Sequence, residues 1–238
     1  MQLLGSNSKI DKSNKNANYQ SYIMHLMPNN TFDGKHNLCP SATEGCKAAC
    51  LHYSYFGSNK NVKAARAAKT EMFINNNNVF MTKLFVEIED KLRKAKNANK
   101  QLVIRLNGTS DIAFENIKVF DKANIFELFP EVIFYDYTKI AKRLTKKLPS
   151  NYTLIFSYSG EKDYYGNVDE ISKEYMASGG RVAVVFKKKM PTAFLGYPVY
   201  NGTEDDLVFL KPASSIIGLK PVGLYGKKDT SGFMVEIS

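Results

Sequence analysis

Cys39, Cys46 and Cys50 fall within twelve residues and are the only cysteines in the chain. An odd count, with no apolar leader in MQLLGSNSKIDKSNKN, argues against a disulfide framework and for metal chemistry. The spacing C-x6-C-x3-C suits an iron–sulfur cluster, which needs thiolates that converge from short stretches of backbone. A helix starting near Cys46 sets Cys46 and Cys50 one turn apart, and Cys39 returns from the Pro40 loop. Gly45 permits a close backbone approach, and Lys35 and Lys47 offset thiolate charge. A [4Fe-4S] cluster on three cysteines leaves its fourth iron to a non-cysteine side chain or an exogenous ligand. His36 and His52 flank the cysteines, so zinc in a Cys3His site is the alternative. Three reduced cysteines buried as small hydrophobes are the plain structural reading.

Three further segments place polar residues where apolar runs end. VIRLNGTSDI offers Asn107, Ser110 and Asp111, and the carboxylate of Asp111 can ligate metal, hold a cation or act as a base. Its structural alternative is to cap a following helix, as Ser and Asp prefer. Asp111 is the leading protein candidate for the fourth iron: His36 is too near Cys39 to share one compact cluster with it. His52 lies about 200° around a helix from Cys50. FYDYTK sends Tyr137, Thr138 and Lys139 off a strand together, and Lys139 can balance an anionic cluster. FSYSG ends a strand on Ser157 and Ser159. The histidines, at 25, 36 and 52, form no Ser-His-Asp set.

The elements that must position these residues alternate. Residues 1–19 are polar and read as a flexible arm; residues 20–238 read as a single domain without a compositional boundary. Ser21–Met27 reads as a strand. Helices are expected over 62–74 and from about Val79 to Ala98, where Phe80, Leu84, Ile88 and Leu92 recur every fourth residue. Strands at Gln101–Leu106, Glu131–Tyr137, Tyr152–Ser157 and Arg181–Phe186 then alternate with helices at 113–128, 139–147 and 168–177. Short, continuously apolar strands joined by helices predict a parallel sheet covered on both faces. Neither G-x-G-x-x-G nor G-x-x-x-x-G-K-[ST] is present, and the polar interest lies after the strands. A partial or complete β/α barrel, α/β in class, follows, with a strand- and turn-rich C-terminal end.

The 238 residues are 44% hydrophobic and carry a net charge of +10. No apolar run approaches the roughly 18 residues of a membrane helix, so no membrane partner is expected. Of the 33 basic residues only Arg66, Arg93, Arg105, Arg143 and Arg181 are arginine. Lysine lacks the bidentate fork of specific phosphate and base recognition, so the charge implies at most nonspecific nucleic-acid binding.

Taken in order, the motifs resemble those of the bacteriophage gene product 88-like family: a cysteine-rich N-terminal segment, a strand running into a Gly–Asp turn, Tyr-Thr-Lys, a strand ending in Ser, Gly-Leu, and Ser-Gly-Phe. Here these are Cys39/Cys46/Cys50, Asn107–Asp111, Tyr137–Lys139, Phe156–Ser157, Gly218–Leu219 and Ser231–Phe233. The chain departs at the Asp turn, where Thr109 and Ser110 separate Gly108 from Asp111. The resemblance implies a viral protein at work in the host cytoplasm. A barrel with three cysteines is also similar to radical S-adenosylmethionine enzymes, although those use C-x3-C-x2-C and a Gly-Gly-Glu. Here Gly179–Gly180 is followed by Arg181. The expectation is a bacteriophage iron–sulfur protein in redox or small-molecule chemistry. A radical enzyme and a zinc-stabilised or basic nucleic-acid-binding module are the alternatives.

Overall fold

The computed structural model describes residues 1–161, 166–222 and 228–237. In chain order it holds β1 (Leu4–Gly5), α1 (Ser8–Ser13), β2 (Tyr19–Met24), α2 (Glu44–Ala48), α3 (Lys60–Asn75), α4 (Asn77–Asn97) and β3 (Gln101–Arg105). There follow β4 (Lys118–Val119), β5 (Ala123–Asn124), α5 (Ile125–Leu128), β6 (Ile133–Thr138), α6 (Ala141–Leu144) and β7 (Tyr152–Ser157). The last are α7 (Val168–Ala177), β8 (Arg181–Val185), β9 (Ala193–Phe194), β10 (Tyr197–Asn201) and β11 (Ser215–Leu219). The chain divides into two compact units, each built from three stretches. Residues 1–39, 60–136 and 147–153 form the first; residues 40–59, 137–146 and those from 154 onward form the second.

In the first unit β1 runs antiparallel to β2, β2 parallel to β3, and β3 parallel to β6, with Tyr19 opposite Gln101 and Val103 opposite Ile133. Leu102, Val103 and Ile104 are fully buried. The amphipathic α4 turns Phe80, Leu84 and Ile88 inward, as its spacing requires. Residues 1–19, expected as a flexible arm, make defined contacts. Asn7 caps α1, and Leu3, Leu4 and Ile10 are completely buried. The backbone N–H groups of Leu3 and Leu4 donate to the Glu87 carboxylate on α4, and Lys69 on α3 donates to the Leu3 carbonyl. Three apolar side chains in a polar stretch were enough to dock it.

In the second unit β7 runs parallel to β8, β8 to β11 and β11 to β10, with β9 antiparallel at the edge. Phe156, Val182, Val184 and Ile216 pack there with Met176 of α7. The mixed α/β class and the mostly parallel strands agree with the sequence. In each unit the parallel strands β2–β3–β6 and β7–β8–β11 are laid down in chain order. Among the described residues, neither unit closes its strands into a ring.

One further expectation fails. The helix at 113–128 is a single turn at Phe114–Asn116, the β4–β5 hairpin and the one-turn α5. Phe120 and Asp121 take positive φ in the hairpin turn, and Asn124 forms a capping box with Glu127 that starts α5 afresh. In the C-terminal end, expected to be rich in strands and turns, DLVFL forms a 3-10 turn over Val208–Leu210. Residues 162–165, after the FSYSG segment, and 223–227, in the strand- and turn-rich C-terminal end, lie outside the described residues.

Candidate functional site

In the first unit the turn after β3 is stitched to the chain leaving β2. The Gly108 N–H donates to the Met24 carbonyl (2.9 Å), and the Thr109 hydroxyl donates to the Leu26 carbonyl (2.6 Å). A Cβ at Gly108 would lie 2.5 Å from both the Met24 carbonyl and Nδ1 of His25, so only glycine lets the segments approach this closely. Asn107, almost wholly buried, is the hub. Its backbone N–H and Nδ2 donate to the two carboxylate oxygens of Asp136 (2.6 and 3.0 Å), and its Oδ1 accepts from Ser110 Oγ and the Ile112 N–H (both 2.8 Å). Tyr152 donates its hydroxyl to Asp136 as well (3.0 Å). Asn107 and Ser110 are therefore scaffold for the turn.

The scaffold sets the buried Asp111 on backbone that adjoins Cys39. The Asp111 N–H donates to the Leu38 carbonyl (2.7 Å), and the Cys39 thiol lies 3.6 Å from the Thr109 carbonyl oxygen. A cysteine and a carboxylate far apart in sequence are thus brought onto adjoining backbone. His36 lies on the exposed side of this loop and binds Asp33 through its backbone N–H and Nδ1 (2.9 and 2.5 Å). The His36 ring and backbone hold the Asp33 carboxyl well below the usual carboxylate range.

In the second unit Cys46 sits on α2. The helix ends at Ala48, and Cys50 is extended at φ −59°, ψ 139°, so it leaves the helix instead of completing the expected i, i+4 pair. Its sulfur accepts from the His52 N–H (3.5 Å). His52 is buried within a separate 3-10 turn, Leu51–Tyr53. The α2 helix is pinned by Glu161, just past β7. The carboxylate accepts from Thr43 Oγ1 (2.7 Å), the Gly45 N–H (3.1 Å) and Ser159 Oγ (3.3 Å). A Cβ at Gly45 would meet Ser231 Oγ at 2.1 Å and Phe233 Cβ at 2.6 Å, and one at Gly160 would meet the Gly232 carbonyl at 2.0 Å. Gly45 thus serves close packing against the Ser-Gly-Phe segment.

Lys139 is buried, donates to the Ser157 and Tyr158 carbonyls (2.8 and 3.3 Å), and stands 5.0 Å from the Phe233 ring centre. It closes the carbonyl end of β7, and Ser157 takes part through its backbone. Tyr137 is half-buried at the end of β6. Sequence reasoning missed Asp136 and Glu161. A carboxylate inside the apolar run VIFYDY, and the Ser-x-Glu leaving β7, were the available signals.

None of the three cysteines is in a disulfide, and all are half-buried. Among the described residues no three Cys, His, Asp or Glu side chains stand gathered as they would around a single metal ion. None of the described helices is long and apolar enough to cross a membrane. Against known proteins, the model of the family described as Gene product 88 matches residues 1–237. No curated protein and no solved structure matches.

Proposed function

Because the chain belongs to the Gene product 88 family, we propose that it is a bacteriophage iron–sulfur protein acting in the host cytoplasm. A [4Fe-4S] cluster bound through Cys39, Cys46 and Cys50 is its cofactor, with Asp111 or an exogenous ligand on the fourth iron. The observation that supports the reading is that the Asp111 turn and the Cys39 loop adjoin through their backbones. When bound, such a cluster supplies one-electron chemistry and an iron open to a small molecule. The chain's own residues do the positioning. Thr109 and Asn107 fix the Asp111 turn, Glu161 and Gly45 fix the Cys46 helix, and Lys139 holds a positive charge at the carbonyl end of β7. Zinc on the same thiolates is the metal alternative.

One observation favours a radical S-adenosylmethionine-like enzyme as the second reading. The parallel strands β2–β3–β6 of the first unit and β7–β8–β11 of the second succeed one another in chain order, a winding habit shared with β/α barrels. β10, parallel to β11, breaks it, and the cysteines follow β2 in the chain.

Anaerobic purification with iron and sulfide assays and an ultraviolet–visible spectrum tests the first reading. Cys39→Ala, Cys46→Ala and Cys50→Ala should each abolish cluster retention, while Asp111→Ala should keep the iron and alter its spectrum. A colourless, zinc-loaded protein sinks the cluster. Loss of iron in His36→Ala or His52→Ala, with Asp111→Ala unchanged, removes Asp111 from the site. Release of methionine and deoxyadenosine from S-adenosylmethionine under strong reductant distinguishes the enzyme reading.

A further inference from the structure

At the carboxyl ends of β7 and β8 the second unit holds a cleft of about 470 Å³ that no cysteine lines. The C-terminal segment forms one side of it. The Val235 N–H donates to the Val185 carbonyl and the Lys187 N–H to the Val235 carbonyl (both 2.9 Å), so this segment lies beside β8. Ligands of open parallel sheets bind outside this end of the strands, and the volume is that of a small-molecule site. Tyr158, Phe194, Leu195 and Met234 give the cleft an apolar lining. The Tyr158 and Phe194 rings meet edge to face, with centroids 5.5 Å apart and planes at 89°. Phe194 meets Phe186 in the same way (5.6 Å, 88°). Rings that fix one another are preorganised to receive an apolar body.

The charge on the cleft selects the ligand. Its lining carries three carboxylates, Asp169, Asp229 and Glu236, against one ammonium, Lys187. Lys187 donates to the Asp229 backbone carbonyl (2.8 Å) and stands 3.5 Å from Glu236, which Lys188 also pairs. The Asp229 carboxylate accepts from neutral groups, the Ser231 and Met234 N–H (3.1 and 2.9 Å). Counting Lys188, two positive charges face three negative ones, and one negative charge is left over. Asp169 bears it most openly. One of its oxygens accepts from the neutral Tyr158 hydroxyl (2.7 Å), and among the described residues no cation ion-pairs with it. The first turn of α7 does not depend on Asp169 alone, since Asn167 Oδ1 accepts from the Asp169 and Glu170 N–H groups and Glu170 adds its own charge. A net acidic cleft disfavours anions, and a bare metal ion would leave the apolar lining unused. We propose that the cleft binds a small organic monocation with an aromatic or apolar body, the ammonium at Asp169 and the body against Tyr158 and Phe194.

The test is isothermal titration calorimetry of the full chain at near-physiological salt with probes of one size: phenethylammonium, neutral 2-phenylethanol and anionic 3-phenylpropionate. Phenethylammonium should bind in the millimolar range or tighter, the alcohol more weakly and the carboxylate not measurably. Asp169→Asn keeps the shape of the side chain and its acceptor for Tyr158. It should weaken the ammonium about five- to tenfold and leave the alcohol nearly unchanged. Phe194→Ala should weaken ammonium and alcohol alike. Far-ultraviolet circular dichroism of both variants checks that the fold is kept. Absence of ammonium binding, equal binding of the carboxylate, an ammonium preference undiminished in Asp169→Asn, or Phe194→Ala without effect overturns the proposal. The titrations read nothing from the cysteines, so their failure leaves the cluster reading untouched.

Discussion

Asp136 shows how one residue organises a site without facing it. Its carboxyl group is wholly buried in β6 and accepts from the Asn107 backbone, the Asn107 side chain and Tyr152. Through Asn107 it sets the turn that carries Asp111. Tyr152→Phe deletes one of these bonds and should cost about 1 kcal/mol in chemical denaturation. A buried phenol gives a second prediction, for pH. Tyr158 is held well above its ordinary value of 10.0, first by burial and then by donating to the Asp169 carboxylate. The folded chain keeps a proton that the unfolded chain releases. Its contribution to stability is therefore whole below about pH 10 and declines as the pH rises further. Subtracting the alkaline tyrosinate titration of Tyr158→Phe from that of wild type should isolate this late step, and Asp169→Asn should bring it to lower pH.

Among the elements, those whose pattern was local were legible. The four-residue spacing of Phe80, Leu84 and Ile88 gave α4. The apolar run of Tyr152–Ser157 gave β7 to the residue, and Val168–Ala177 gave α7. Residues 113–128 were not legible as they stand, because a positive-φ turn at Phe120–Asp121 is a backbone choice that leaves little trace in composition. The helix carrying Cys46 was legible in its start and not in its end. Thr43 caps it, but what places it is Glu161 and the Ser231–Phe233 segment, remote in sequence. Cys39 and Asp111 were named as candidates from residue type, while their adjoining placement is tertiary. Gly45→Ala pushes a methyl into Ser231 and Phe233 and should displace α2, costing about 1–3 kcal/mol in thermal or chemical unfolding. If α2 were placed by its own sequence alone, that substitution would stabilise it, as Ala outranks Gly within helices.

For the molecule as a whole, the division of the chain is the governing fact. Neither unit is a continuous stretch, since residues 147–153 return to the first after the second has begun. That return brings Tyr152 to Asp136, and the Asn151 side chain donates to the Phe126, Phe129 and Val132 carbonyls (3.0, 2.9 and 3.0 Å). A fragment ending at Asp136 lacks all of these bonds. It should show poor dispersion by nuclear magnetic resonance and early proteolysis, whereas the full chain resists. A well-folded fragment would mean that the return segment is dispensable.

The packing of Gly45 against Ser231 and Phe233 also sets an order of events at the ribosome. The cysteine segment is synthesised well before Ser231 and Phe233, which pack on its helix. Thr109, against which Cys39 lies, also emerges well after the cysteines. Until residues 231–233 have been made, the thiols ride on a nascent chain that lacks this packing, more open to oxidation and to passing metal. A chain that stops before Ser231 carries every cysteine and keeps Glu161 on the helix that bears Cys46, but lacks the Ser231–Phe233 packing on Gly45.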